Sequence, residues 1–97
     1  MKKSRNYISL GDAIEQFLSK HGLKKQAKFH QLKSEWAQLM GAPIAANTEK
    51  MWLHDGILYI KMRNPVWRQE LQLARNKIMA MANEYMELEA VKEVKIF

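Results

Sequence analysis

Two short apolar runs, residues 51–53 and 57–62, flank Asp55-Gly56, and apolar residues recur at helical spacing before and after that stretch. Asp-Gly between two short apolar runs signals a two-residue hairpin, because a type I′ turn needs positive φ at both central positions. That turn sets a register with Leu53 opposite Leu58 and Met51 opposite Ile60, and Met62 extends the same face. Trp52 and Tyr59 then oppose each other on the other face, at a spacing where aromatic rings interact. A slip of one residue would exchange the two faces.

The second strand ends at Arg63-Asn64-Pro65. Asn64 is a suitable N-cap and Pro65 a suitable first helical residue, since the missing N–H of proline has no partner there anyway. From Pro65 the period lengthens, and Trp67, Leu71, Ala74, Ile78, Met81 and Tyr85 form one stripe. Residues 83–90 are acidic and end the pattern, and residues 91–97 read as a last strand with Val94 and Ile96 facing one way and Lys95 and Phe97 the other.

Upstream, the spacing predicts two helices. Ser9 caps the first, about residues 10–20, whose stripe is Leu10, Ala13, Ile14, Phe17 and Leu18; Gly22 closes it. The second runs from about residue 24 to 40 with Phe29, Leu32, Trp36, Leu39 and Met40 on its stripe, ends at Gly41, and is kept from resuming by Pro43. Residues 42–49 connect to the hairpin, with Ile44 and Ala45 tucked under the core. The expected class is α+β in the order α-α-β-β-α-β, a three-stranded sheet with the helices on one face. Residues 1–8 read as a basic N-terminal arm and residues 9–97 as a single domain.

Composition narrows the chemistry. At 97 residues and 47% apolar content, the chain suffices for one packed core. It has no cysteine, which excludes disulfides, thiolate metal sites and cysteine catalysis. With neither a transmembrane stretch nor a signal-peptide apolar region, a cytoplasmic protein is expected. The formal charge of +6 is uneven: residues 1–50 hold nine Lys/Arg against four Asp/Glu, residues 51–97 seven against six. Lys20, Lys24, Lys25, Lys28 and Lys33 fall in a stretch without an acid. Such a field favours an anionic partner, nucleic acid above all, or is simply a solvated surface.

Each candidate residue has two readings. Trp36 and Trp67 lie on helical stripes and are expected to anchor the core. Trp52 and Tyr59 stack bases if their sheet face is open, or are covered by the first helix, the arm or a dimer partner. Lys61, Arg63, Arg68 and Arg75, with the lysine group, either track phosphates or form a solvated face. His21, His30 and His54 fall in different elements without ligand spacing, so no metal site or cofactor is expected. No nucleophilic arrangement or phosphate-cradling loop is visible, so the chain is not expected to be an enzyme or to take a small-molecule substrate.

One ordered set of residues carries a family likeness: Trp36 through Gly41, Ile44-Ala45, Asn47-Thr48, Leu53, Asp55-Gly56, Leu58, Asn64-Pro65, Trp67, Glu70-Leu71, Arg75, Ile78 and the closing Ile96-Phe97. This resembles the bacterial DUF721 family, which contains the DciA-type proteins, over roughly residues 9–97. The resemblance implies a replication factor that binds DNA, single-stranded DNA included, and the replicative DnaB-type helicase, whose loading it assists. It also implies a K-homology (KH)-like domain. Three features depart from that picture. Without cysteine, the zinc ribbon once suggested for some members is not credible. There is no G-x-x-G loop for the usual KH backbone clamp. The chain ends right after its last strand, so a disordered tail is expected to be missing. An RNA-binding KH-like module and a protein-interaction domain without nucleic-acid binding are the alternatives.

Overall fold

The computed structural model describes residues 9–97; the expected basic arm, residues 1–8, lies outside them. The elements in order are α1 (Leu10–Lys20), α2 (Lys24–Ser34), α3 (Trp36–Met40), α4 (Ala42–Ala46), β1 (Thr48–His54), β2 (Ile57–Met62), α5 (Pro65–Leu73), α6 (Arg75–Met86) and β3 (Glu93–Ile96). The class is α+β, as the periodicity predicts.

The hairpin forms in the expected register. Leu53 pairs with Leu58, Met51 with Ile60 and Trp52 with Tyr59, around a turn in which Asp55 and Gly56 have φ of 51° and 78°. Ser9 and Asn64 cap α1 and α5: the Ser9 hydroxyl accepts from the Asp12 N–H at 3.0 Å and the Asn64 carbonyl from the Val66 N–H at 2.7 Å. A bulge between Thr48 and Lys50 lengthens β1 backwards beyond the expected start.

The sheet order is β1-β2-β3, with β1 antiparallel and β3 parallel to β2. Two devices dock β3. The Gly56 carbonyl accepts from the N–H groups of Lys92 and Glu93, so the hairpin turn anchors the strand's start. Asn83 brackets Val91, donating to its carbonyl at 2.9 Å and accepting from its N–H at 2.8 Å. The side chain thus replaces a backbone partner and holds the α6–β3 connection against the helix.

All helical contributions to the core come from one side of the sheet. Leu32, Trp36, Leu71, Ile78, Ala82 and Met86 close over Met51, Leu58, Ile60, Met62, Val94 and Ile96. Trp67, Ile44 and Ala45 pack partly buried at the margin, and the Trp36 indole donates to the Thr48 hydroxyl, which donates to the Ile44 carbonyl.

Four helix boundaries differ from the sequence reading. The second helix is two helices, because it breaks at Glu35, whose N–H is shared between the Gln31 and Leu32 carbonyls while the Ser34 hydroxyl competes for Gln31. Pro43 does not prevent a helix after Gly41; it sits in the first turn of α4, where a missing N–H costs nothing. The long helix breaks at Ala74, where a tighter bond to the Leu71 carbonyl forms and the Arg75 guanidinium takes the released Gln72 carbonyl. Past that break the stripe rotates, so Ala82 and Met86 enter the core while Met81 and Tyr85 stay half-buried. The helix then continues through the acidic stretch to Met86 and stops at Glu87, which adopts left-handed φ of 58°. Finally, α1 buries none of its residues; Ile14 and Phe17 on its stripe remain more than half exposed because the helix leans on α2 and not on the sheet.

Candidate nucleic-acid interface

Among the described residues the helices lie on one side of the sheet and none covers the opposite face. Strand alternation and register place its side chains in rows. Trp52, Tyr59 and Lys95 lie side by side across β1, β2 and β3, and Lys50 and Lys61 form the next row. Trp52 and Tyr59 stack, ring centroids 4.9 Å apart and planes 11° apart, and Phe97 meets Trp52 edge-on at 5.9 Å. Lys50 Nζ stands 5.2 Å from the Trp52 ring centroid, close enough for a cation–π contact. The face therefore carries three aromatic rings ringed by three lysines. Its acids are marginal: Glu49 lies 3.7 Å from Lys61, and Glu93 sits opposite Ile57 at the far end.

A hollow continues this surface around the edge of β3, with Trp52, Tyr59, Phe97, Gln72, Arg75 and the acidic Glu93 in its lining. Gln72 Nε2 donates to the Ile96 carbonyl at 3.0 Å, and the Arg75 guanidinium is fixed by the Gln72 carbonyl at 3.1 Å. The break at Ala74 puts Arg75 there.

The remaining expected cations do not form one patch. Lys24 lies 3.8 Å from Glu15 and Lys28 3.4 Å from Glu87, so both turn towards neighbouring helices and a carboxylate. Burial pushes the nearby Tyr85 hydroxyl above its ordinary range, with Glu35 adding to the effect and Lys28 opposing it. Lys25 and Lys33 project instead towards β1. Lys20 ends α1, and Arg63 follows β2. Arg68 is half-buried, its Nε enclosed without a hydrogen-bond partner. Of the expected set, Trp52, Tyr59 and Lys61 share the open face, and Arg75 borders it. Lys50, Lys95 and Phe97 are the face residues the sequence reading passed over. Lys50 was legible from its position two before Trp52 on the same strand; Lys95 and Phe97 needed the knowledge that β3 lies beside β2.

Among the described residues no cluster of three or more His, Cys, Asp or Glu side chains has a metal-holding arrangement, and no helix is long and apolar enough to cross a membrane.

The family described as "Dna[CI] antecedent, DciA" matches residues 9–96. The chain belongs to the DciA family. That family is associated with loading of the DnaB-type helicase. A UPF0232 protein of Corynebacterium glutamicum (strain R) is 26% identical over 93 residues, covering 96% of this chain and 52% of its own length. A UPF0232 protein of Rhodococcus jostii (strain RHA1) is 36% identical over 45 residues, covering 46% of this chain and 24% of its own length. The chain thus spans about half the length of the first of these relatives, or less. No solved structure gives a significant match.

Proposed function

We propose that this domain is a non-enzymatic DNA-replication adaptor that binds DNA, single-stranded DNA included, and the replicative DnaB-type helicase, whose loading it assists. Membership of the DciA family over nearly the whole chain carries the reading. The open sheet face supports its DNA half. Aromatic rings offer stacking surfaces to unpaired bases of any sequence, and lysines a few ångströms away suit the phosphates between them. In this reading Trp52, Tyr59 and Phe97 meet bases, while Lys50, Lys61, Lys95 and Arg75 follow the backbone. The mechanism is scaffolding: strand and helicase are held together, with no hydrolysis by this chain.

Two measurements test it. Labelled single-stranded DNA titrated at several salt concentrations should bind with an affinity that falls steeply as salt rises, because counterions are released at each phosphate contact. The host's replicative helicase should be retained by the immobilised domain after nuclease treatment. Absence of DNA binding at low salt removes the DNA half; loss of the helicase with nuclease removes the direct protein contact.

A further inference from the structure

The sheet has a second distinctive edge. β1 is seven residues long and forms the outer strand on the side away from β3. In a hairpin closed by the two-residue turn at Asp55-Gly56, His54 and Trp52 exchange backbone hydrogen bonds with Ile57 and Tyr59. The N–H and C=O groups of Met51 and Leu53 therefore point outward. Among the described residues no backbone bond outside the sheet is made by either. The other edge is short by comparison: β3 has four residues, and Gln72 already takes the Ile96 carbonyl.

Beside this edge runs a groove whose other wall is α2. Lys25, Gln26, Phe29, His30 and Lys33 face it from the helix, and Leu53, His54, Trp52 and Lys50 from the strand. Phe29 and Leu53 give it an apolar floor, both partly buried against the core. Its cations are sorted by ion pairing. Lys24 and Lys28 are matched to Glu15 and Glu87 elsewhere, whereas Lys25 and Lys33 have no carboxylate within ion-pair distance among the described residues. α2 contains no acid at all. Two acids, Glu49 and Asp55, also line the strand wall, and each has a partner of its own: Asp55 lies 3.2 Å from His54 and Glu49 3.7 Å from Lys61.

We infer that this groove docks an extended acidic peptide segment, which adds to the edge of β1 as a fourth strand. An edge of outward N–H and C=O groups is complementary to another peptide backbone, which supplies both acceptors and donors. A phosphate backbone satisfies the N–H groups but, having no donors, leaves the carbonyls of Met51 and Leu53 unmatched. Along an added strand, alternate side chains point to opposite faces. One set enters the hollow floored by Phe29 and Leu53 and favours apolar residues. The other turns to the opposite face beside Lys50 and favours glutamate or aspartate, while Lys25 and Lys33 add positive field from the helix wall. The occupant is thus a segment alternating apolar and acidic residues, and its site adjoins the aromatic face at Trp52 and Lys50. The inference does not depend on the proposed replication role.

The test uses a fluorescein-labelled, N-acetylated octapeptide alternating leucine and glutamate, followed by anisotropy at low and moderate salt. The intact domain binds it. A peptide of the same sequence, N-methylated on the amides of one strand edge, loses binding, as does a version with lysine in place of glutamate. The double variant Lys25→Glu/Lys33→Glu weakens binding by about tenfold or more while retaining the far-UV circular dichroism of the parent, since both residues are exposed. Met51 and Leu53 amide protons become protected from exchange on addition of peptide. Equal binding of the N-methylated peptide, insensitivity to the Lys25/Lys33 reversal, or no binding at millimolar peptide each overturns the inference.

Discussion

The Trp52 indole and the Tyr59 phenol lie face to face across the hairpin, 4.9 Å between centroids, on the sheet face that none of the described helices covers. Cross-strand aromatic pairs of this kind contribute about 0.5–1.5 kcal/mol beyond the area they bury. A double-mutant cycle with Trp52→Ala and Tyr59→Ala, read by urea denaturation, should return a coupling in that range. The same single variants should weaken single-stranded DNA binding by about 1–3 kcal/mol each, since each removes a stacking surface. Unchanged DNA affinity in both would place the nucleic acid elsewhere.

The lysines around the rings should appear in the salt dependence. Replacing Lys50 and Lys95, which have no carboxylate within ion-pair distance among the described residues, by glutamine should lower the slope of log affinity against log salt by about 1.4, two single-strand phosphate contacts' worth. The control is Lys24→Gln/Lys28→Gln. Those lysines are already matched to Glu15 and Glu87, and the slope should scarcely move.

Gly56 joins the turn to the third strand. It has φ of 78°, its carbonyl accepts from both Lys92 and Glu93, and a Cβ placed on it would stand 3.0 Å from Lys92 Cγ. The Lys92 side chain can move aside, but the left-handed backbone cannot be relieved without disturbing β3. Gly56→Ala should destabilise the fold by about 1–2 kcal/mol or more, measured by chemical denaturation.

Asn83 is the corresponding lock on the other end of the connection. Asn83→Ala leaves the N–H and C=O of Val91 without their partners at a partly buried position. The expected loss is about 1–3 kcal/mol for each group left unsatisfied. Asn83→Asp keeps the acceptor for the Val91 N–H and removes the donor, so it should fall between the parent and the alanine variant.

Glu87 offers the opposite change. It holds φ of 58° without being glycine, and its contact with Lys28 is a surface pair. Glu87→Gly should gain up to about 1 kcal/mol from relief of the left-handed conformation and lose less than that from the exposed pair. A thermal melt showing marked destabilisation would mean that the Glu87–Lys28 contact matters more than its exposure suggests.

Short-range chemistry made much of this molecule legible in the chain. Asp55-Gly56 specified a turn because few residues accept two positive φ angles in a row, and the turn in turn fixed which side chains share a face. Ser9 and Asn64 marked helix starts because their side chains satisfy orphan N–H groups a few residues on. Those signals act over two to four positions and leave their mark in the order of residues. The breaks at Glu35 and Ala74 were hidden for a related reason: both sites carry ordinary helix-compatible residues, and the interruption depends on competing hydrogen bonds from Ser34 and Arg75.

What the sequence by itself determined, then, is the hairpin, its register, the helix caps and the α+β class, because each is decided by a handful of neighbouring residues. Only the tertiary structure decided that β3 lies parallel beside β2, which brings Lys95 and Phe97 to Trp52 and Tyr59, and that Lys24 and Lys28 are matched to carboxylates while Lys25 and Lys33 face the edge of β1. Those outcomes depend on contacts between residues tens of positions apart, such as Lys28 with Glu87, and distance along the chain leaves no periodic trace of them.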